Sequence, residues 1–263
     1  MKRSTKRRLT HLALYLLLGV VVVVLAVALD WPTVQRNFWA DGLSGNWHDF
    51  ITLGVVNTAK YTAIAFGGGF ALALLLALMK LSPIAPYRWI ATAYIEFFRG
   101  LPALIVILVM AFGVPIAFQW TPPGGTVGAG VIGLVMVAGA YMAETLRAGI
   151  QAVPKGQTEA AQSLGMSGFW TTVSVVLPQA FRIVIPPLTN EFVLLIKDTS
   201  LLSVVGMLPD QRELTSMARD FQASGPTAGT STSLTQAALL YLIITLPLTR
   251  LVAWLESRQK RAR

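Results

Sequence analysis

Residues 12–29 form a run of leucine, valine and alanine without one charged side chain, and comparable apolar runs recur along the rest of the chain. A stretch of about 20 such residues has the length of a helix across a bilayer. Inside lipid a backbone must satisfy its own hydrogen bonds, so repeated runs of this kind commit the chain to helices. The composition agrees: 54% of residues are hydrophobic and 13% charged, against about 25% charged in soluble domains.

The first run follows Lys2, Arg3, Lys6, Arg7 and Arg8, as a signal peptide would. It is long for a signal core and ends at Asp30-Trp31-Pro32, a poor cleavage site. We read it as a retained anchor helix. Further spans are expected at residues 51–79, around 100–119, 127–149, 181 to about 205, and 234–252. The prolines and glycines of Thr121-Pro-Pro-Gly-Gly-Thr126 predict a tight hairpin between the third and fourth of the six.

Basic residues test this layout, because cytoplasmic loops hold the excess of lysine and arginine. One side collects the N-terminal cluster with Lys80, Arg88, Arg147, Lys155, Arg182, Arg250, Arg258, Lys260, Arg261 and Arg263. The other holds Arg36, Arg212 and Arg219. Both termini are therefore expected in the cytoplasm, with residues 30–50 and 207–232 outside and 151–178 inside. The expected fold is all-α and polytopic: residues 1–50 as basic N-terminus, anchor and external loop, 51–255 as the membrane domain, and 256–263 as a basic cytoplasmic tail.

The net charge of +9 comes from cations at the termini and beside apolar runs, with no basic and aromatic stripe of the kind nucleic acid needs. With no cysteine there is no disulfide or thiolate chemistry. His11 and His48 are too far apart in sequence to suggest a metal pair, and the scattered carboxylates form no catalytic set, so neither a metal site nor a catalytic residue is expected.

Residues 151–178 are a polar insert between two spans. Pro154 suits the first turn of a helix, Gly165 suits its end, and Ser167 is a fitting N-cap for a second short helix starting at Gly168. Ala160 and Ala161 let a helix backbone approach a partner closely, and Glu159 supplies a charge at the rim. The segment is either a docking elbow or a plain solvated hairpin.

On Glu159, Ala160, Ala161, Gly165, Val175, Leu177 and Pro178 the chain resembles the permease subunits of binding-protein-dependent ABC importers, whose cytoplasmic hallmark has this spacing. Phe97-Phe98-Arg99-Gly100-Leu101-Pro102, Glu144-Thr-Leu-Arg-Ala-Gly149, Val153-Pro-Lys-Gly156, Leu177-Pro-Gln-Ala180 and Lys197-Asp-Thr-Ser-Leu201 resemble its polar amino-acid branch. The likeness covers residues 54–250 and leaves the anchor outside. Thr158 stands where a large aromatic is usual, Thr189 where glycine is common, and Val175 where isoleucine is common.

The resemblance implies a multi-pass protein of the bacterial inner membrane that imports polar amino acids. It implies a second permease subunit, two cytoplasmic ATPase subunits that use ATP and magnesium, and an external solute-binding protein. This chain has no Gly-x4-Gly-Lys-Ser/Thr phosphate loop, so it is expected to bind no cofactor and to hydrolyse nothing itself. An ATP-independent transporter or channel is the alternative, but it has no use for an ATPase socket. A membrane-embedded enzyme needs a nucleophile or metal set.

Charged groups inside a span are costly and tend to pair or face a cavity. Asn190, Glu191, Leu194 and Asp198 share neighbouring parts of one helix face. They either line a cavity, with the carboxylates and amide holding a substrate's ammonium and Lys197 or Arg99 its carboxylate, or they pair within the protein. Asn57, Thr58 and Thr62 form a second polar stripe that faces either substrate or another helix. Glu96 with Arg99 and Glu144 with Arg147 are spaced for ion pairs along a helix. Arg99, Gly100 and Pro102 are candidates for an inner gate, because the glycine and proline let the chain bend.

Overall fold

The computed structural model of the chain describes residues 3–40, 45–225 and 227–261. Lys2 and Arg263 of the basic termini lie outside the described residues, within which all regular structure is helical. The anchor is α1, Arg3–Ala28, and a short amphipathic helix, α2, Trp31–Phe38, follows it. The second span is α3, Trp47–Leu81. Next come α4, Ala85–Gly100, and α5, Ala103–Phe118, then α6, Gly125–Gln151. The elbow helix is α7, Lys155–Ser163. A long helix, α8, runs over Gly168–Val204, and α9, Leu214–Ala223, and α10, Thr232–Arg261, complete the chain.

Helix α6 is the centre of the bundle: 67% of its most apolar stretch is buried, against none of that of α1. Lipid tails are as apolar as leucine, so spans associate through close packing rather than hydrophobic expulsion, and small residues favour it. A Cβ on Gly139 would stand 2.7 Å from Leu72 Cδ2 of α3. One on Gly149 would overlap Val184 of α8. Around these crossings Tyr61, Ala65, Leu76, Leu134, Met142, Leu146, Val184 and Leu195 form the main core.

Two expectations about the spans change. The third does not begin at Gly100, because α4 and α5 meet at a bend of 104°. Pro102 has no N–H to continue α4, and it holds Leu101 extended at φ −100°, ψ 142°. Alone α5 is about 24 Å long, short of a bilayer core; among the described residues five helices are long and apolar enough to cross, and the count is six when the bent pair is taken as one span. The second elbow helix is not short. It passes through a π turn at Thr172–Val176 and continues as the span. The Gly-rich hairpin forms as expected, with Gly124 and Gly125 at φ +76° and +67°.

Interior prolines in α8 break its own ladder, and a neighbour repairs it. Pro186 cannot donate to the carbonyl of Arg182, which instead accepts from the side-chain amide of Gln259 on α10. The segment 207–232, expected to lie outside, holds a helix of its own, α9. Glu213, fully buried, caps this helix by accepting from the Ser216 and Thr215 amides at 2.6 and 2.7 Å and from the Tyr241 hydroxyl at 2.9 Å. Burial pushes its carboxyl above the usual range against these bonds.

Gly149→Ala must push α6 away from α8. Overpacking of this kind costs about 1–3 kcal/mol, so thermal unfolding in detergent should show a lower midpoint than the parent chain.

Candidate functional site

Two places carry the residues singled out by the sequence: the elbow between α6 and α8, and a cavity where α8 faces α6 and the α4–α5 bend. In the elbow, Pro154 is the N-cap of α7 rather than its first residue. The helix ends in a Schellman motif. The Met166 N–H donates to the Ala161 carbonyl at 3.1 Å and the Gly165 N–H to the Gln162 carbonyl at 2.9 Å. Gly165 sits at φ +85°, where a side chain is strained. Ser167 then caps α8, its hydroxyl accepting from the Trp170 N–H at 3.5 Å.

The two alanines of the elbow have different surroundings. Ala161 is buried, while Ala160 and Glu159 are exposed and Thr158 is half-buried. The large apolar groups beside the turn were not picked out by sequence: Leu164 is 86% exposed, Phe169 70% and Trp170 59%. The two aromatic rings meet edge to face, with centroids 5.8 Å apart. Aromatic residues within a polar insert were the available signal. Exposed apolar groups gathered in this way mark a surface for a protein or membrane contact.

The cavity holds about 320 Å³ and is lined by Leu101, Ala103, Leu134, Val137, Ala138, Tyr141, Glu191, Leu194, Leu195 and Asp198. Glu191 and Asp198 both lie on its α8 wall, brought together by the one-face spacing. Arg99 is exposed and outside the lining, but its guanidinium lies over the ring of Tyr141, which is in it, at 5.5 Å from the centroid. The bend at Pro102 puts Leu101 and Ala103 in the lining. Gly100 has open space beside it. Asn190 and Lys197 are exposed and do not line the cavity.

The second polar stripe is occupied elsewhere. The Asn57 amide donates to the carbonyls of Asp210 and Arg212, each at 2.9 Å. Thr58 accepts from the Leu214 N–H at 3.3 Å, and Thr62 donates to the Thr58 carbonyl at 2.8 Å. The bonds of Asn57 and Thr58 tie the start of α9 and the residues before it to α3. Lys60, beside them, lines a different cavity with Asp210 and Gln211.

Of the two expected helical ion pairs, Glu144 with Arg147 forms, and Lys80 of α3 joins it at 3.0 Å. Glu96 makes no ion pair with Arg99 among the described residues; the aromatic ring of Tyr141 takes the guanidinium instead. The Glu144 cluster lies at the elbow end of α6, where Arg147 also donates to Gln151 at 2.5 Å.

Comparison with known proteins finds the same architecture. The family model described as "Binding-protein-dependent transport system inner membrane component" matches residues 69–261. The probable glutamine ABC transporter permease protein GlnM of Bacillus subtilis (strain 168) is 37% identical over 220 residues, which is 80% of this chain and 93% of the relative. The L-cystine transport system permease protein TcyB of the same organism is 40% identical over 183 residues, 70% of this chain and 73% of the relative. A crystal structure of an amino acid ABC transporter with histidines superposes with a TM-score of 0.70 at 36% identity, covering 80% of this chain and 93% of the other.

Because Asn57 is bonded on both donors, Asn57→Ala leaves two carbonyls without partners. The expected loss is about 1–3 kcal/mol, read as a lowered unfolding midpoint in detergent.

Proposed function

This chain belongs to the binding-protein-dependent transport system inner membrane components, and we propose that it is one permease half of an ATP-driven importer of polar amino acids. The observation that carries this reading is the elbow. Its turn is fixed by a Schellman motif, it presents Leu164, Phe169 and Trp170 uncovered, and it leads without a break into the helix that walls the cavity. A channel or an ATP-independent carrier needs no such surface.

In the proposed cycle two ATPase subunits, which bind ATP and magnesium, each seat one elbow, and a second permease subunit completes the pathway. An external solute-binding protein delivers the substrate. When ATP draws the ATPases together, the elbow moves with its ATPase and carries α8. The wall with Glu191 and Asp198 then shifts against the wall with Leu101 and Tyr141, so that the cavity exchanges access between the two sides. Glu191 and Asp198 receive the ammonium that every amino acid carries, and Arg99 answers the carboxylate. The relatives' names, a probable glutamine permease and an L-cystine transport permease, support polar amino acids as the substrate class.

Orientation follows from the lysine and arginine asymmetry: the elbow and both termini are cytoplasmic, and α2 and α9 lie outside. The fold supports this parity, since counting the bent pair as one span gives an even number of crossings.

Uptake of labelled acidic, basic and neutral amino acids into vesicles holding the reconstituted complex tests the reading. Gly165→Val puts a branched residue in the left-handed region at a cost of about 1–2 kcal/mol, and Glu159→Lys reverses the charge at the rim. Both should insert normally yet lose uptake. Glu191→Gln should keep ATPase binding and change uptake or substrate preference. Normal uptake by both elbow variants would refute the coupling role, and unchanged uptake and preference in Glu191→Gln would remove that residue from the substrate site.

A further inference from the structure

The corner at Asp30-Trp31-Pro32 has no part in the transport reading, yet it is well built. The Asp30 carboxylate accepts from the Thr33 amide at 3.4 Å and from its hydroxyl at 2.6 Å, and Pro32 occupies the first turn of α2. The Trp31 indole N–H donates at 2.8 Å to the carbonyl of Ala26, one of the last carbonyls of α1 that no helical N–H reaches. The junction of α1 and α2 is therefore held on both sides.

Helix α2 has three faces. Val34 and Asn37 are half-buried and face the protein. The Asn37 carbonyl accepts from the Ser231 N–H at 2.8 Å and from the Thr232 hydroxyl at 3.3 Å, and its side-chain amide reaches Ser231 Oγ at 3.4 Å. The Ala40 N–H adds a bond to Thr232 Oγ1 at 3.1 Å. Arg36 and Thr33 occupy a second, polar face. Trp31 and Phe38, seven residues apart and so on one side of a helix, form the third with Trp39 beside them, and the exposed Gln35 shares that side. These three aromatic groups are 56%, 45% and 47% exposed.

The position of α2 identifies what covers them. It starts three residues after α1, whose apolar run of membrane-spanning length has no buried residue, and it is bonded to the first turn of α10, another helix of spanning length. Both junctions lie at the end of the bundle opposite the elbow, with α9 and the start of α6. Tryptophan concentrates at the headgroup level of bilayers, and a helix with an aromatic face and a polar face lies in that plane.

We propose that α2 is an interfacial helix that seats Trp31, Phe38 and Trp39 in the lipid headgroup boundary on the face opposite the elbow. Through Asn37 it holds the start of α10 at a fixed depth. The appended N-terminal segment is then a depth gauge for the last span, and its partner is the bilayer rather than a protein.

The chain has no native cysteine, so single nitroxide labels can be placed without background. The full chain is reconstituted in vesicles of phosphatidylethanolamine and phosphatidylglycerol and labelled at Phe38→Cys or Arg36→Cys. Collision with oxygen and with a water-soluble nickel chelate is then measured. The expected ratio of oxygen to nickel accessibility is several-fold higher at position 38 than at 36. Equal ratios would place the aromatic face in water and overturn the proposal. Dipolar broadening at position 38 that vanishes on dilution with unlabelled chain would assign the face to a second copy and also overturn it. With a label at Ala228→Cys, the double variant Ser231→Pro and Thr232→Val, which removes the N–H and hydroxyl groups that bond Asn37 and Ala40, should raise the label's mobility several-fold; an unchanged spectrum would refute the clamp.

Discussion

The architecture depends on one constraint: a backbone N–H or C=O within the bilayer must find a partner in the protein, at a penalty of several kcal/mol if it does not. Long unbroken helices satisfy it at no further cost. Where this chain departs from them, within a span, at its edge or in the polar elbow, it carries a built alternative. Pro186 leaves the Arg182 carbonyl to the amide of Gln259. Pro102 ends α4 and turns the chain by 104°. Gly165 closes α7 with the two bonds of a Schellman motif. The last two departures coincide with the cavity lining and the elbow.

Helix α8 joins these two places. It begins at the elbow with Gly168, exposes Phe169 and Trp170, and carries Glu191 and Asp198 further along. At 1.5 Å per residue the aromatic pair and Glu191 are about 30 Å apart on one helix. Helix α6 packs closely on α8 at Gly149 and on α3 at Gly139. In the proposed cycle α8 is the link through which a force at the elbow reaches the cavity. The Glu144 cluster, which joins the elbow end of α6 to Lys80 of α3, keeps those two spans together while it does so.

Much of this was legible in the sequence because membrane spans and turns depend on local chemistry. The apolar runs located the spans, Gly165 and Ser167 located the turn and the cap, and the seven-residue spacing put Glu191 and Asp198 on one wall. What stayed hidden depends on contacts between distant segments. Nothing local to Asn57 and Thr58 says that residues 210–214 will fold over them. Glutamate is an uncommon N-cap, so α9 gave no clear start signal at Glu213. Arg99 sits in register for Glu96, yet Tyr141, contributed by another helix, takes its guanidinium. The elbow was read through its small residues, whereas the uncovered surface is made by Leu164, Phe169 and Trp170, because which side of a turn faces outward is decided by how α8 packs.

The central claim is that α8 transmits motion from elbow to cavity, and paired nitroxides measured by dipolar spectroscopy in the assembled complex test it most directly. One pair spans α8 from position 172 to position 194, and another spans the cavity mouth from position 101 to position 194. Adding ATP and magnesium should leave the first distance unchanged and shift the second. A fixed cavity distance, or a change confined to the pair within α8, would contradict the account.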